Sequence, residues 1–131
     1  MKYRFVYICH PVKGDSTVSY EENLKEIKKI SRELSMNCYG IIPVTHVLAT
    51  TQYLDDFNKK ERNVGIKQDL QFIPLIAKTE NPALFVYGHK ISSGMKKEIL
   101  AALKYNVTII PKDERIIGGL EKIVGGNKNG K

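Results

Sequence analysis

Short apolar runs alternate along this chain with longer segments in which apolar residues recur at helical spacing. The runs Tyr3–Cys9, Tyr39–Val44, Ala83–Tyr87 and Val107–Ile110 have the length and composition of buried strands. The first run is apolar along nearly its whole length, which is typical of a strand covered on both faces. We therefore expect this first strand to be central in the sheet.

The segments between these runs predict helices. Ser19 followed by Glu22 forms a capping-box pattern at the start of the first helix, which we expect to end near Ser35. Residues 64–77 predict a second helix, which Pro74 should kink or end. Further helices are expected over residues 93–105 and 113–124, the last weakened by two adjacent glycines.

Strands that alternate with helices predict an α/β fold. We expect a three-layer, doubly wound, flavodoxin-like or Rossmann-like domain with a mainly parallel sheet of four or five strands. Residues 1–124 should form this one domain, and residues 125–131 a flexible C-terminal tail.

Residues 46–62 are the least regular part of the chain and mix polar with aromatic side chains. A long segment of this kind in a small domain is often a lid or a binding loop. Asp55 and Asp56 either contact a ligand or form a helix cap or a solvated pair. Tyr53 and Phe57 either cover the core or stack on a base.

The composition narrows the class of partner. The chain has 131 residues and a net charge of +7, but only four arginines, and its lysines are dispersed. Proteins that read bases usually concentrate arginine and interleave aromatic residues, so this composition argues against nucleic acid as a partner. No apolar run is long enough to span a membrane.

Cys9 and Cys38 have no metal-site spacing and predict reduced thiols in a cytoplasmic protein, with no metal or other cofactor.

The junction between the third strand and the next helix carries the most chemical information. A Ser-Ser-Gly turn at residues 92–94 leads into the helix, and Glu98 lies about one turn inside it. In an open α/β sheet this junction lies at the carboxyl edge, where ligands bind. Free N–H groups at a helix start favour anions or sugar hydroxyls, and Glu98 can face the same pocket.

Several segments in order resemble the nucleoside 2-deoxyribosyltransferase-like superfamily, in particular its small phage and bacterial branch. The resemblance covers about residues 3–112. It rests on residues 7–11, 52–56, 85–88 and 91–99, together with Asn23, Pro43, His46, Glu61, Arg62 and Gly65.

The resemblance implies that Glu98 is a nucleophile that attacks the anomeric carbon of a deoxyribonucleoside or its 5′-monophosphate and releases the base. Tyr7 would orient Glu98 by a hydrogen bond. The family usually carries one Asp where this chain has Ser92 and another near Pro82. The acid that protonates the base must then come from elsewhere, with Asp69, Asp55 and Asp56 as alternatives.

The resemblance and the expected strand ends together give the remaining ligand-binding residues. Backbone N–H groups of Ser93 and Gly94 would hold a sugar hydroxyl or a 5′-phosphate. The full set of expected ligand contacts is His10, Pro11, His46, Gln52, Asp55, Asp56, Gly88, Ser92, Ser93, Gly94 and Met95.

Three functions remain open at this point. The first is an enzyme that cleaves or transfers the N-glycosidic bond. The second is a non-catalytic protein, for example one encoded by a phage, that binds or sequesters a nucleotide or nucleotide signal, because the two family Asp positions are absent. The third, weaker than either, is a basic nucleic-acid-associated protein. We also expect a homo-oligomer, because Tyr53, Leu54 and Phe57 are hard to bury in so small a domain.

Overall fold

A computed structural model describes residues 2–129 of the chain. Four parallel strands form one sheet in the order β2-β1-β3-β4. The strands are β1 (Arg4–Cys9), β2 (Ile41–Val44), β3 (Ala83–Val86) and β4 (Thr108–Pro111). The helices are α1 (Tyr20–Asn37), α2 (His46–Thr50), α3 (Lys59–Leu70), α4 (Phe72–Ile76), α5 (Ser93–Lys104) and α6 (Ile117–Asn129).

The expected α/β architecture with a parallel sheet is confirmed, and β1 is a central strand. Tyr7 is paired with Val44 of β2 on one side and with Leu84 of β3 on the other. The chain leaves β1 in one direction to form β2 and returns on the other side to form β3. The carboxyl ends of β1 and β3 therefore flank the point where the strand order reverses, which is where open α/β sheets bind ligands.

Helices cover both faces of the sheet because side chains alternate along each strand. Val6 and Ile8 of β1 lie in the core cluster that contains Ile30 of α1. Tyr7 and Cys9 point to the opposite face, whose cluster contains Met95 and other residues of α4, α5 and α6. This alternation brings Tyr7 and Cys9 to the face that α5 covers.

The start of α1 is the one that the sequence predicts. The Glu22 N–H donates to Ser19 Oγ at 3.1 Å, and the Ser19 N–H donates to Glu22 Oε1 at 3.3 Å. The helix continues to Asn37, two residues beyond the predicted end.

The middle of the chain is more helical than the sequence predicts. Residues 46–50 form α2, and α3 already begins at Lys59, where the Asn58 side chain accepts the Glu61 N–H at 3.1 Å. The buried face of α3 consists of Gly65 and Asp69 rather than large apolar residues. The sequence of this helix therefore lacks the apolar repeat that would predict it. Only the turn between Thr51 and Asn58 remains of the expected long loop.

Pro74 does not interrupt a helix. The break falls earlier, between the end of α3 at Leu70 and the start of α4 at Phe72. Pro74 is the third residue of α4, where a backbone N–H has no partner within the helix, so its missing donor costs little.

The predicted C-terminal tail is wrong for residues 125–129, which continue α6 to Asn129. A short 3-10 turn over Glu114–Ile116 precedes this helix. Glycines weaken α6, but Leu120 is buried and Ile123 and Val124 pack against the main core cluster. Residues 130 and 131 of the predicted tail lie outside the described residues.

Within residues 2–129, no helix has both the length and the apolar character needed to cross a membrane. Cys9 and Cys38 are both free, Cys9 buried and Cys38 half-buried.

Candidate active site

Glu98 is presented to the sheet by α5. Ser92 caps this helix by accepting the Met95 N–H at 3.2 Å, and Met95 and Ile99 are buried on the face that packs against the sheet. Glu98 lies at the border of this face and is half-buried. Its carboxylate therefore reaches the end of β1 rather than bulk solvent.

Two side chains of β1 hold the Glu98 carboxylate. The Tyr7 O–H donates to Oε2, and the Cys9 thiol lies 3.5 Å from Oε1. Tyr7 and Cys9 are two residues apart on one strand, so both point to the same face. Each carboxylate oxygen thus has a donor from β1, which fixes the orientation of the group.

The surroundings favour the protonated form of Glu98. Burial raises the pKa of Glu98 to about 8, the hydrogen bond from Tyr7 opposes this rise, and the negative charge of Asp69 adds to it. Burial and the neighbouring Glu98 also raise the pKa of the Tyr7 phenol and of the Cys9 thiol. Tyr7 and Cys9 therefore stay neutral and remain hydrogen-bond donors.

A second carboxylate, Asp69, enters the same pocket from α3. It is buried, and Nδ1 of His46 lies 2.8 Å from its Oδ1. Burial raises the pKa of Asp69, while the hydrogen bond and charge of His46 oppose the rise. The His46 ring is held against Phe72 with a centroid separation of 4.8 Å. Glu98 and Asp69, two of the three carboxylic acids that line the pocket, therefore lie in different environments, which is typical of acid and nucleophile pairs.

The pocket has a volume of about 60 Å³ and lies at the carboxyl end of β1, between α2, α3 and α5. A water-sized site needs at least about 10–15 Å³, so this space takes several waters or a ligand group of similar size. Its polar wall consists of His10, Thr50, Asp56, Arg62, Asp69, Ser92 and Glu98. Its apolar and glycine wall consists of Ile8, Val12, Val47, Gly65, Ile66, Gly94 and Met95.

Most of the residues singled out in the sequence meet at this pocket. Seven of them line it: His10, Asp56, Asp69, Ser92, Gly94, Met95 and Glu98. Tyr7 joins them through its hydrogen bond to Glu98. His46 reaches the pocket only through Asp69, and its other side lines a neighbouring apolar cavity.

Pro11 and Gly88 lie in a different groove, alongside α1. Gly88 has a φ of +100°, and a Cβ at this position would stand 2.7 Å from Pro11 Cδ. The two residues therefore pack against each other. His10 lines both the pocket and this groove, and its Nδ1 lies 2.7 Å from the Pro11 carbonyl oxygen.

Gln52, Asp55 and Ser93 lie outside the pocket lining. Gln52 is exposed, and Asp55 accepts the Phe57 N–H at 2.9 Å within the turn. Ser93 is exposed at the first position of α5, while its neighbours Ser92 and Gly94 face the pocket.

The sequence reasoning missed several pocket residues, among them Thr50 and Arg62. Arg62, Gly65 and Asp69 recur at spacings of three and four residues, which places them on one face of α3. That spacing was available in the sequence. The face was hard to recognise because it carries polar groups and a glycine instead of an apolar stripe.

No three His, Cys, Asp or Glu side chains within residues 2–129 form a group that could hold a metal ion. The groups gathered in the pocket are donors, acceptors and acids. Their chemistry suits proton transfer and nucleophilic attack.

The fold and the pocket define an α/β protein with a carboxylate-centred site at the point where its strand order reverses. Residues 4–111 match the family described as "Domain of unknown function (DUF7768)", and the chain belongs to this family. The match runs from the start of β1 to the end of β4 and contains every pocket residue named above. Neither a comparison with curated proteins nor one with solved structures gives a match.

Proposed function

We propose that this protein cleaves or transfers the N-glycosidic bond of a deoxyribonucleoside or its 5′-monophosphate, with Glu98 as the nucleophile. The observation that carries the proposal is the Glu98 carboxylate, fixed by Tyr7 in a pocket that also holds Asp69. A carboxylate at this place can bond to, or stabilise, the sugar cation that develops as the base leaves.

The first step couples attack to departure of the base. A Glu98 oxygen forms a bond to the anomeric carbon while the carbon–nitrogen bond breaks, and its electron pair goes to the base. Glu98 must be ionised to attack, although burial favours its neutral form in the free protein. Positive charge developing on the sugar favours the ionised form in the transition state.

Asp69 is best placed of the three alternatives to protonate the departing base. Burial raises its pKa, so it can hold a proton at higher pH than an exposed aspartate. Asp56 accepts a hydrogen bond from the Tyr20 O–H at 3.1 Å, and Asp55 lies in the turn outside the pocket. The His46 ring, whose Nδ1 lies 2.8 Å from Asp69 Oδ1, fixes the orientation of the Asp69 carboxylate.

The second step releases the sugar from Glu98. Water or a second base attacks the anomeric carbon, the bond to the Glu98 oxygen breaks, and Asp69 takes up the proton of the incoming group. The carboxylate leaves with its bonding electrons and is ready for another cycle. Hydrolysis and transfer differ only in the attacking molecule.

The direct test measures free base by chromatography after incubation with a panel of deoxyribonucleosides and their 5′-monophosphates. Glu98→Gln should lower base release by several orders of magnitude, because the amide cannot act as a nucleophile. Glu121→Gln removes an exposed carboxylate from α6 and serves as the matched control. Equal base release by wild type and Glu98→Gln would remove Glu98 from the mechanism.

A second candidate function is nucleotide binding without catalysis. Ser92 stands where the resembling family usually has an Asp, and it caps α5 instead of supplying an acid. Calorimetry showing that a nucleotide binds, together with no base release over the whole panel, would favour this function.

We further propose that the protein forms a homo-oligomer. Tyr53 and Phe57 are 62% and 70% exposed, and both lie in the turn between α2 and α3. Burying them against a second copy would remove apolar surface from water. Light scattering that gives a monomer mass at high micromolar concentration would contradict this expectation.

A further inference from the structure

A groove of about 280 Å³ adjoins the pocket and carries chemistry that the reaction above does not use. We call it the rim groove. It shares Asp56 and Arg62 with the pocket, so the two spaces adjoin at these side chains. Its other lining residues are Lys13, Phe57, Lys59 and Asn63.

The rim groove has an excess of positive charge. Lys13, Lys59 and Arg62 supply three cations, and Asp56 is the single acid in the lining. Asp56 also accepts a hydrogen bond from Tyr20. The ion pairs found within residues 2–129 involve none of these three cations, whereas Lys2, Lys90 and Arg115 each have an acidic partner.

Arg62 distinguishes this groove from an ordinary solvated lysine surface. Its side chain is half-buried and lies at the junction of the two spaces, while Lys13 and Lys59 are exposed around it. A guanidinium group offers a rigid fork of donors that matches a phosphate, and it is more weakly hydrated than an ammonium group. A half-buried arginine that has no acidic partner in the described part of the chain is therefore suited to an anionic ligand.

The position of Arg62 along α3 gives the direction in which a ligand would lie. Arg62 and Asp69 are seven residues apart, which is about 10 Å along the helix axis at 1.5 Å per residue. Gly65 and Ile66 form the pocket wall between them, and the small Gly65 lets Leu54 and Thr50 pack close to α3. The two ends of this wall therefore carry an acid suited to a leaving base and a cation suited to a phosphate.

We propose that the rim groove binds the 5′-phosphate of a ligand whose sugar lies against Glu98, so that the site selects nucleotides over nucleosides. The placement of the sugar rests on the proposed function, whereas the binding of the phosphate does not require turnover. Gly94, one helical turn before Glu98 on α5, then faces the sugar hydroxyls.

The test compares a deoxyribonucleoside with its 5′-monophosphate in wild type, Arg62→Gln and Lys60→Gln. Lys60 lies on α3, is exposed and lines neither space, so its substitution removes the same charge without touching the site. Arg62→Gln should lower kcat/KM for the monophosphate about 10- to 100-fold, as expected for loss of a charge-assisted hydrogen bond. In Arg62→Gln the nucleoside should lose much less than the monophosphate does, and in Lys60→Gln both substrates should change less than about threefold.

Binding measurements separate this proposal from the proposed function. Calorimetry with the monophosphate and the nucleoside needs no turnover. If no base is released but the monophosphate binds more tightly and Arg62→Gln removes the difference, the phosphate site stands and the glycosidic reaction does not. If base is released but Arg62→Gln affects both ligands equally, or neither, the phosphate site is overturned and the reaction stands.

A second variant keeps the test decisive if Arg62→Gln fails to fold, which circular dichroism would reveal. Lys13→Gln/Lys59→Gln changes only exposed side chains. It should weaken monophosphate binding and make the affinity less dependent on salt, while nucleoside binding stays unchanged. Unchanged monophosphate affinity and salt dependence in this double variant would overturn the proposal.

Discussion

Replacing Glu98 by Gln should stabilise the folded protein at alkaline pH. Gln keeps the shape of the side chain and can still accept the Tyr7 hydrogen bond, but it has no charge to bury. Burial raises the pKa of Glu98 from its ordinary value of 4.5 to about 8, so the folded state holds this proton more tightly than the unfolded state. Ionisation of Glu98 at alkaline pH therefore destabilises the folded wild-type protein. The variant has no charge at this position and does not lose this stability.

The sign of the effect follows from proton linkage. Between pH 4.5 and about 8 the folded protein keeps the Glu98 proton and the unfolded chain does not. Stability that is fully present below pH 4.5 is thus lost as pH rises through about 8. The advantage of Glu98→Gln should grow across this window and level off above it.

The structure also sets the size of the effect. At about 1.4 kcal/mol per pKa unit, a rise from 4.5 to about 8 gives an upper bound of roughly 5 kcal/mol. Glu98 is only half-buried and lines a pocket, so solvent screens part of this cost. We expect Glu98→Gln to raise the free energy of unfolding by about 1–3 kcal/mol at pH 9 relative to pH 4.5.

Urea denaturation of both proteins at several values between pH 4 and pH 9 gives the free energy of unfolding directly. Glu121→Gln is the control, because this carboxylate is exposed and should show no comparable pH-dependent gain. A difference between wild type and Glu98→Gln that does not change with pH would refute the reasoning, since burial of the charge would then carry no cost.

Two other substitutions test the arrangement around the pocket, and a pair of glycine substitutions tests the backbone outside it. Tyr7→Phe removes the hydrogen bond that opposes the raised Glu98 pKa, so the rising limb of the pH profile of base release should move to higher pH. His46→Gln removes a charge that lowers the Asp69 pKa, so the limb that reports Asp69 ionisation should also move to higher pH. Gly88→Ala should destabilise by about 1–3 kcal/mol in urea denaturation, because φ is +100° and Pro11 blocks the Cβ. Gly118→Ala in α6 meets no atom within 4 Å and should be neutral or stabilising by up to about 1 kcal/mol.

Much of the site followed from local patterns in the sequence. The alternation in β1 places Tyr7 and Cys9 on one face, and the strand–turn–helix pattern at residues 83–99 places Glu98 beside them. Strand and helix periods depend on neighbouring residues alone, so they can be read without knowledge of the fold. The capping box at Ser19 is local for the same reason.

Other features depended on packing between distant segments. The pairing of His46 with Asp69 joins residues 23 positions apart, and Arg62 acquires its place only when α3 packs beside the pocket. The buried face of α3 carries Gly65 and Asp69, so its sequence shows no helical repeat of large apolar residues. The continuation of α6 beyond Val124 likewise reflects its contact with the core, which outweighs the low helix propensity of its glycines.

The sequence by itself determined the order of strands and helices, the parallel sheet and the presence of Glu98 at its carboxyl edge. Only the tertiary structure decided which polar groups share the pocket, because that depends on long-range packing at the point where the strand order reverses. Pro11 and Gly88 illustrate the difference, since both follow strand ends and yet pack against each other in a separate groove. A strand end fixes the edge on which a residue lies, whereas the turn after it fixes the direction of its side chain.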